Sequence, residues 1–167
     1  MLPTDVIHCI QLQSQSLSAQ QSSKVIWALG SIGYTMNTIQ LPLQLSSSSS
    51  SYLLLEELVM KVNEIKKSQI GNAITASQAL TGIAKLGLQW TSSSSQLSNQ
   101  LKGSIFELVI RICQSNNDRF VANAIWALGS IGVTCDVIEP TMKNLLIDSA
   151  SRVISESSSW ELCNILW

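Results

Sequence analysis

Ile26-Trp27-Ala28-Leu29-Gly30-Ser31-Ile32-Gly33 recurs letter for letter at Ile125-Trp126-Ala127-Leu128-Gly129-Ser130-Ile131-Gly132. An eight-letter identity across that distance marks an internal repeat. Aligning on its tryptophan brings four stretches into register: Ser22 to Trp27, Ala76 to Thr81, Val121 to Trp126, and the segment after Trp160 that ends Asn164-Ile165-Leu166-Trp167. The anchors Trp27, Thr81, Trp126 and Trp167 lie 54, 45 and 41 residues apart. The two longer intervals contain the serine runs Ser46 to Ser51 and Ser92 to Ser95. Without those insertions the unit is about 40 residues, the size of a two-helix solenoid repeat.

In the anchored helix, here helix B, Ala124, Leu128 and Ile131 fall at i, i+4 and i+7, as do Val25, Leu29 and Ile32. That spacing predicts one buried stripe of period 3.6. Helix B is expected to end at Gly33, Gly87 or Gly132, where a residue without Cβ accepts the left-handed conformation of a helix C-cap. Gly30 and Gly129 lie inside the helix, where each costs roughly 0.8–1 kcal/mol relative to Ala. Their recurrence predicts a close helix-helix approach.

Upstream of each of the last three B helices runs a second apolar segment, helix A. Glu57-Leu58-Val59-Met60-Lys61-Val62 matches Glu107-Leu108-Val109-Ile110-Arg111-Ile112, and Asp148 with Arg152 keeps the offset of Glu107 with Arg111 from the anchor. The acid-then-base pair at i, i+4 thus recurs three times. In the second unit it lies five residues further from its anchor, so a longer loop or an extra turn is expected between Asn63 and Ile74. Val6 to Leu12 is a candidate first A helix without the pair. These elements predict an all-α, right-handed α-solenoid of about four helix pairs, with units near 1–35, 52–89, 96–134 and 139–167. The serine runs 46–51 and 92–95 are expected as loops, because they cannot bury enough apolar area to offset ordering. Ser157 to Ser159 are expected to cap the last B helix. The last copy stops at Trp167, six residues short of a closing glycine, so the chain reads as a piece of a longer array.

Composition bounds the function. The chain has 167 residues, 46% of them hydrophobic, enough for a sizeable core without metals or disulfides. Only 13% are charged and the net charge is -1, so no overall basic field attracts nucleic acid, and RNA contact would have to be local. Cys9, Cys113, Cys135 and Cys163 match no zinc spacing and no secreted framework, and read as buried free thiols. No apolar run approaches the roughly 20 residues of a membrane span, since Glu56 and Glu57 interrupt the longest candidate. Met1 to Gln11 carries Asp5 and neither Arg nor Lys, unlike a signal or transit peptide. His8 is the only histidine, which removes a two-histidine metal site. Gly-Ser-Ile-Gly ends a helix and opens none, so it is no phosphate loop. Neither catalysis nor a cofactor is expected.

Asn123-Ala124-Ile125-Trp126-Ala127-Leu128-Gly129-Ser130-Ile131-Gly132 and its partial copies resemble the N-x-[IL]-W-A-[LF]-x-x-[LI]-G helix of organellar RNA-processing helical-repeat proteins. These include the octotricopeptide and heptatricopeptide repeat families, FAST-kinase-like and RAP-domain proteins, and RNA-editing substrate-binding complex subunits. On that resemblance Asn123 and Asn164 take the motif's Asn; Trp27, Trp126 and Trp167 its Trp; Gly33, Gly87 and Gly132 its closing Gly. Thr81 departs from the Trp, and Gly30 and Gly129 stand where Ala or another small residue is usual. The resemblance implies single-stranded RNA binding in RNA processing, in a mitochondrion or chloroplast, within a longer protein and alongside other proteins of a complex. An armadillo- or HEAT-like protein-interaction solenoid and a structural subunit of an organellar assembly fit the same fold; without the resemblance the chain reads as cytoplasmic.

The site residues divide between the two helices. Trp27, Trp126 and Trp167 have the chemistry to stack on bases, but they share a helix with the buried stripe and are expected to pack between units. Lys61, Arg111 and Arg152 recur once per unit and would form a ladder along a phosphate backbone, unless the acid four residues before each neutralises it. Lys102 and Lys143 occupy equivalent positions, 24 residues before Trp126 and Trp167, with Ser98 and Glu139 four residues before them. Lys66 and Lys67 end a helix A, where cations suit the helix dipole. RNA contact is therefore expected on helix A.

Overall fold

The computed structural model describes residues 4–36, 39, 50–65, 72–90 and 97–156. Among them the chain is all-helical: α1 (Thr4–Gln13), a 3-10 turn (Ser14–Ser16), α2 (Ala19–Ser31), α3 (Ser50–Asn63), α4 (Asn72–Lys85), α5 (Asn99–Cys113), α6 (Asp118–Ser130) and α7 (Pro140–Glu156). The B helices are α2, α4 and α6; the A helices are α1, α3, α5 and α7. Ser46 to Ser49, Ser92 to Ser95, Lys66, Lys67, Ser157 to Ser159, Cys163, Asn164 and Trp167 lie outside the described residues. Ser50 and Ser51 do not continue the expected loop. They form the first residues of α3, since a helix N-terminus is where serine is tolerated best.

Local chemistry sets the ends. Ser18 and Gln21 form a capping box on α2, Ser98 accepts from the Leu101 N–H at the start of α5, and Asn117 accepts from the Phe120 N–H at the start of α6. Gly33, Gly87 and Gly132 all adopt positive φ, at 87°, 69° and 80°, and end the B helices as expected. At two of them the next residue reaches back, Tyr34 N–H to Leu29 C=O and Val133 N–H to Leu128 C=O, both 3.0 Å.

Helices of one kind neighbour one another along the chain: α2 packs on α4 and α4 on α6, while α3 packs on α5 and α5 on α7. One continuous core runs between the two sets, through Ile26, Leu58, Leu80, Ile83, Leu108, Ile112 and Val121. Two backbone bonds repeat in register. Met36, nine residues after Trp27, donates to Leu86 C=O at 2.9 Å; Trp90, nine after Thr81, donates to Ile131 C=O at 2.6 Å. Both acceptors lie five residues after the anchor of the following B helix.

This backbone clasp explains why identical octapeptides differ in burial. Ile131 and Leu86 are covered by the preceding segment and are 0% and 1% exposed, whereas Ile32, with no described segment in that place, is 59% exposed. The buried stripe predicted through Ile32 therefore stops at Leu29, and Val25 is only partly buried. The tryptophans also depart from the expectation of burial. Trp27 is 41% exposed and Trp126 only partly buried; Ile26 is the fully buried side chain at this point of α2. Of the thiols, Cys113 is buried but Cys9 and Cys135 are exposed, Cys135 because it lies in the turn after α6.

The close approach predicted by Gly30 is present. A Cβ there would stand 2.7 Å from Gly82 O and 2.8 Å from Lys85 Cβ, while one on Gly129 would meet nothing within 4 Å. The same substitution in the two copies should thus act in opposite directions. Gly30→Ala is expected to destabilise by about 1–3 kcal/mol through overpacking. Gly129→Ala should stabilise by about 0.5–1 kcal/mol through helix propensity. Thermal unfolding reads both, since 1 kcal/mol moves Tm by about 2–4 °C in a chain of this size.

Candidate nucleic-acid interface

The recurring base of helix A meets a different partner in each unit. Arg111 is nearly buried, its side chain 9% exposed. Its Nη2 donates to Asn63 O at 2.6 Å and its Nη1 to Val62 O at 3.4 Å, while Nε pairs with Glu107 Oε1 at 3.4 Å. The guanidinium so satisfies carbonyls left open at the C-terminus of α3. Arg152 reaches back in the same way, donating from Nη1 to Asn116 Oδ1 at 2.7 Å and pairing with Asp118 Oδ1 at 3.5 Å. Asn116 holds a φ of 52° in the loop between α5 and α6. Arg111 ties α5 to the end of α3, and Arg152 ties α7 to the loop after α5 and the first residue of α6. Lys61 pairs with Glu64 at 3.1 Å and not with Glu57. Only Arg111 keeps the expected i, i+4 partner, and the three cations do not form an open ladder.

Lys102 lies on α5 with its ammonium 5.8 Å from the Trp90 ring, which itself packs at 5.1 Å on Phe106. Lys143 is exposed on α7. Trp167 is outside the described residues. Of Lys61, Lys102, Arg111, Lys143 and Arg152, Lys143 alone is exposed and the other four are partly buried.

Sequence reasoning missed a second set of cations, on the B helices. Four positions of each B helix, at -7, -3, 0 and +4 from the anchor, share one side at helical spacing. On α2 they hold Gln20, Lys24, Trp27 and Ser31; on α4, Ile74, Gln78, Thr81 and Lys85; on α6, Arg119, Asn123, Trp126 and Ser130. All twelve are exposed or partly exposed. No carboxylate occurs among them. Two contacts join the stripes of α2 and α4: the Lys85 ammonium lies 5.4 Å over the Trp27 ring and donates to Ser31 Oγ at 3.1 Å. Ser23 Oγ, beside the stripe, donates to Gln78 Oε1 at 3.3 Å. The signal was available in the sequence, because Trp27, Lys85 and Arg119 fall on one side once the copies are aligned.

The carboxylates sit elsewhere. Glu56, Glu57 and Glu64 lie on or just after α3, Glu107 on α5 and Asp148 on α7; Asp118, the first residue of α6, adjoins Arg119 and pairs with Arg152, so the stripe positions themselves hold cations and no anion. Burial between α5 and α7 pushes the Cys113 thiol above its ordinary 9.0, with a Ser149 hydrogen bond and the Arg152 charge drawing it partly back. Among the described residues no group of three potential ligands could hold a metal ion, and no helix is long and apolar enough to cross a membrane. Comparison with known families, with curated proteins and with solved structures finds no match to this chain.

Two measurements follow from this geometry. Arg111→Ala leaves two carbonyls without a donor and is expected to lower stability by about 2–3 kcal/mol. Lys61→Ala removes only a surface pair and should change it by less than about 0.5 kcal/mol; urea unfolding separates the two. Because the Cys113 thiol stays protonated and covered, iodoacetamide at mildly alkaline pH should modify Cys9 and Cys135 in the folded chain and reach Cys113 only after unfolding, as read by peptide mass mapping.

Proposed function

We propose that this chain is an RNA-binding helical-repeat scaffold of the organellar RNA-processing type, non-catalytic, and that it holds single-stranded RNA on its B helices. In this reading the helix pairs form a right-handed α-solenoid of about four units near 1–35, 52–89, 96–134 and 139–167. The repeated clasp from Met36 to Leu86 and from Trp90 to Ile131 supports the repeat, since the two bonds join equivalent positions of successive aligned copies.

The observation that carries the RNA reading is the composition of the B stripe: Lys24, Lys85 and Arg119 interleaved with Trp27 and Trp126, amides at Gln78 and Asn123, and no carboxylate. Single-stranded nucleic acid needs cations along its backbone and flat groups for its bases. Trp27 is 41% exposed, with the Lys85 ammonium over its ring in reach of a phosphate. Arg111 and Arg152 are engaged by protein groups and act in this reading as braces between units. Mitochondrial or chloroplast placement rests on the resemblance of the B-helix motif.

The test is salt-dependent binding of a single-stranded oligoribonucleotide by the full chain. Replacing Lys24 and Lys85 by Ala should weaken binding and flatten the dependence of log K on log salt by about 0.7 per cation removed. Trp27→Ala should cost a further ~1–3 kcal/mol if a base stacks there. Lys61→Ala and Lys143→Ala, on the other side, should leave affinity within twofold. Equal losses from both sides, or none from the B stripe, would overturn the assignment.

A further inference from the structure

The outer face of α3 carries apolar side chains that its packing does not use. Leu54, Leu55, Leu58, Val59 and Val62 turn inward and are buried, which is all the core requires of this helix. Yet Leu53 and Met60 are also apolar and remain 60% and 40% exposed. They stand seven residues apart, about 10 Å along the helix axis. Between and beside them lie Glu56, Glu57, Lys61 and Glu64, and together these six residues line a shallow cleft of about 230 Å³.

The cleft has a definite charge. Glu64 takes the Lys61 ammonium at 3.1 Å, and Glu56 accepts from Ser98 Oγ at 2.7 Å, which holds it in place without neutralising it. Among the described residues that line it, three carboxylates face one ammonium, so this part of the rim is acidic. At its edge, exposed Gln100 Nε2 on α5 contacts Met60 Sδ at 2.8 Å.

We propose that this cleft is a docking site for a basic amphipathic helix of a partner protein. An amphipathic helix lays apolar side chains at i, i+3, i+4 and i+7 into a groove, and the Leu53–Met60 spacing matches one such repeat. The acidic rim selects lysines or arginines flanking that apolar stripe, and unbranched Met60 adapts to its shape. The same rim disfavours RNA, whose phosphates it repels. The inference is independent of the B stripe: the chain holds RNA on one side and a basic protein segment on the other.

The probe is a fluorescein-labelled leucine–lysine peptide of about 18 residues with its leucines at helical spacing, titrated against the full chain by fluorescence anisotropy. A peptide of the same composition with alternating leucines and lysines is the comparison. The helical peptide should bind more tightly, and the variant carrying Leu53→Ser and Met60→Ser should weaken it roughly tenfold or more, with its circular dichroism unchanged. Glu57→Gln with Glu64→Gln should weaken it as well and reduce its salt dependence. Lys24→Ala with Lys85→Ala should leave it unaltered. Equal binding of both peptides, which is attraction by charge alone, would overturn the proposal. So would unchanged affinity in the Leu53, Met60 variant, or no binding at all, the result expected if the chain's own residues fill the cleft.

Discussion

Between α2 and α4 two backbones meet at a distance no side chain can occupy. A Cβ on Gly82 would lie 2.7 Å from both Cα and N of Trp27, and one on Gly30 would lie 2.7 Å from Gly82 O. Glycine in a helix interior is unfavourable, so two facing glycines are retained only where contact outweighs their helix cost. The approach has a consequence for the tryptophan. With its backbone pressed under α4, the Trp27 ring can only leave sideways, where it lies half-exposed beneath Lys85. A residue memorable in the sequence as an anchor is an anchor through its main chain. The positions equivalent to Gly30 and Gly82 on α4 and α6 are Ala84 and Ala127, which carry the smallest side chain where the first pair carries none, and both are buried.

A second constraint is the clasp that ties each B helix to the tail of the one before. Met36 and Trp90 have no resemblance as side chains, yet their N–H groups make the same bond. Because the bond is between backbones, it tolerates any letter that fills the space beside it. Met36 and Trp90 both fill it, at 5% and 9% exposure. The clasp also decides how far burial reaches along each B helix, which is why Ile131 is core and Ile32 is surface despite identical neighbours in sequence.

What the sequence made legible follows from the range of each interaction. The closing glycines could be read directly, since a left-handed C-cap is a local demand on one residue, and Gly33, Gly87 and Gly132 all meet it. The A and B segments could be read from their periodicity, and Gly30 from its cost. Ile32 could not, because its exposure depends on a segment beyond its own helix. Arg111 misled for the same reason. Glu107 four residues earlier suggested an exposed intrahelical pair, but the decisive partner is the carbonyl of Asn63, 48 positions away. Gly82 was open to view beside Thr81 and is the half of the glycine contact that alignment on tryptophan obscured. The cations of the B stripe were hidden by assigning that helix wholly to the core once its apolar stripe was found.

The fate of the arginines and the placement of the acids are one arrangement. Helix A carries an acid and a base at fixed positions, and a symmetric pair of that kind would leave its surface neutral. In α5 and α7 the base turns toward the preceding unit, to Val62 and Asn63 in one case and to Asn116 and Asp118 in the other. A guanidinium suits that role because its planar fork reaches two acceptors at once. In α7 the base is lost to Asp118 while Asp148 stays exposed at the surface, and in α3 Lys61 turns to Glu64 and leaves Glu57 facing outward. In α7 the brace draws one positive charge away from Asp148, while Lys102 and Lys143 stay on the A helices. The B helices are joined by backbone bonds and, between α2 and α4, by the glycine contact, with Lys85 bridging to Trp27 and Ser31 while it stays exposed. The charge that the described A helices show at their surface is thus set in part by how they are joined to the segments before them.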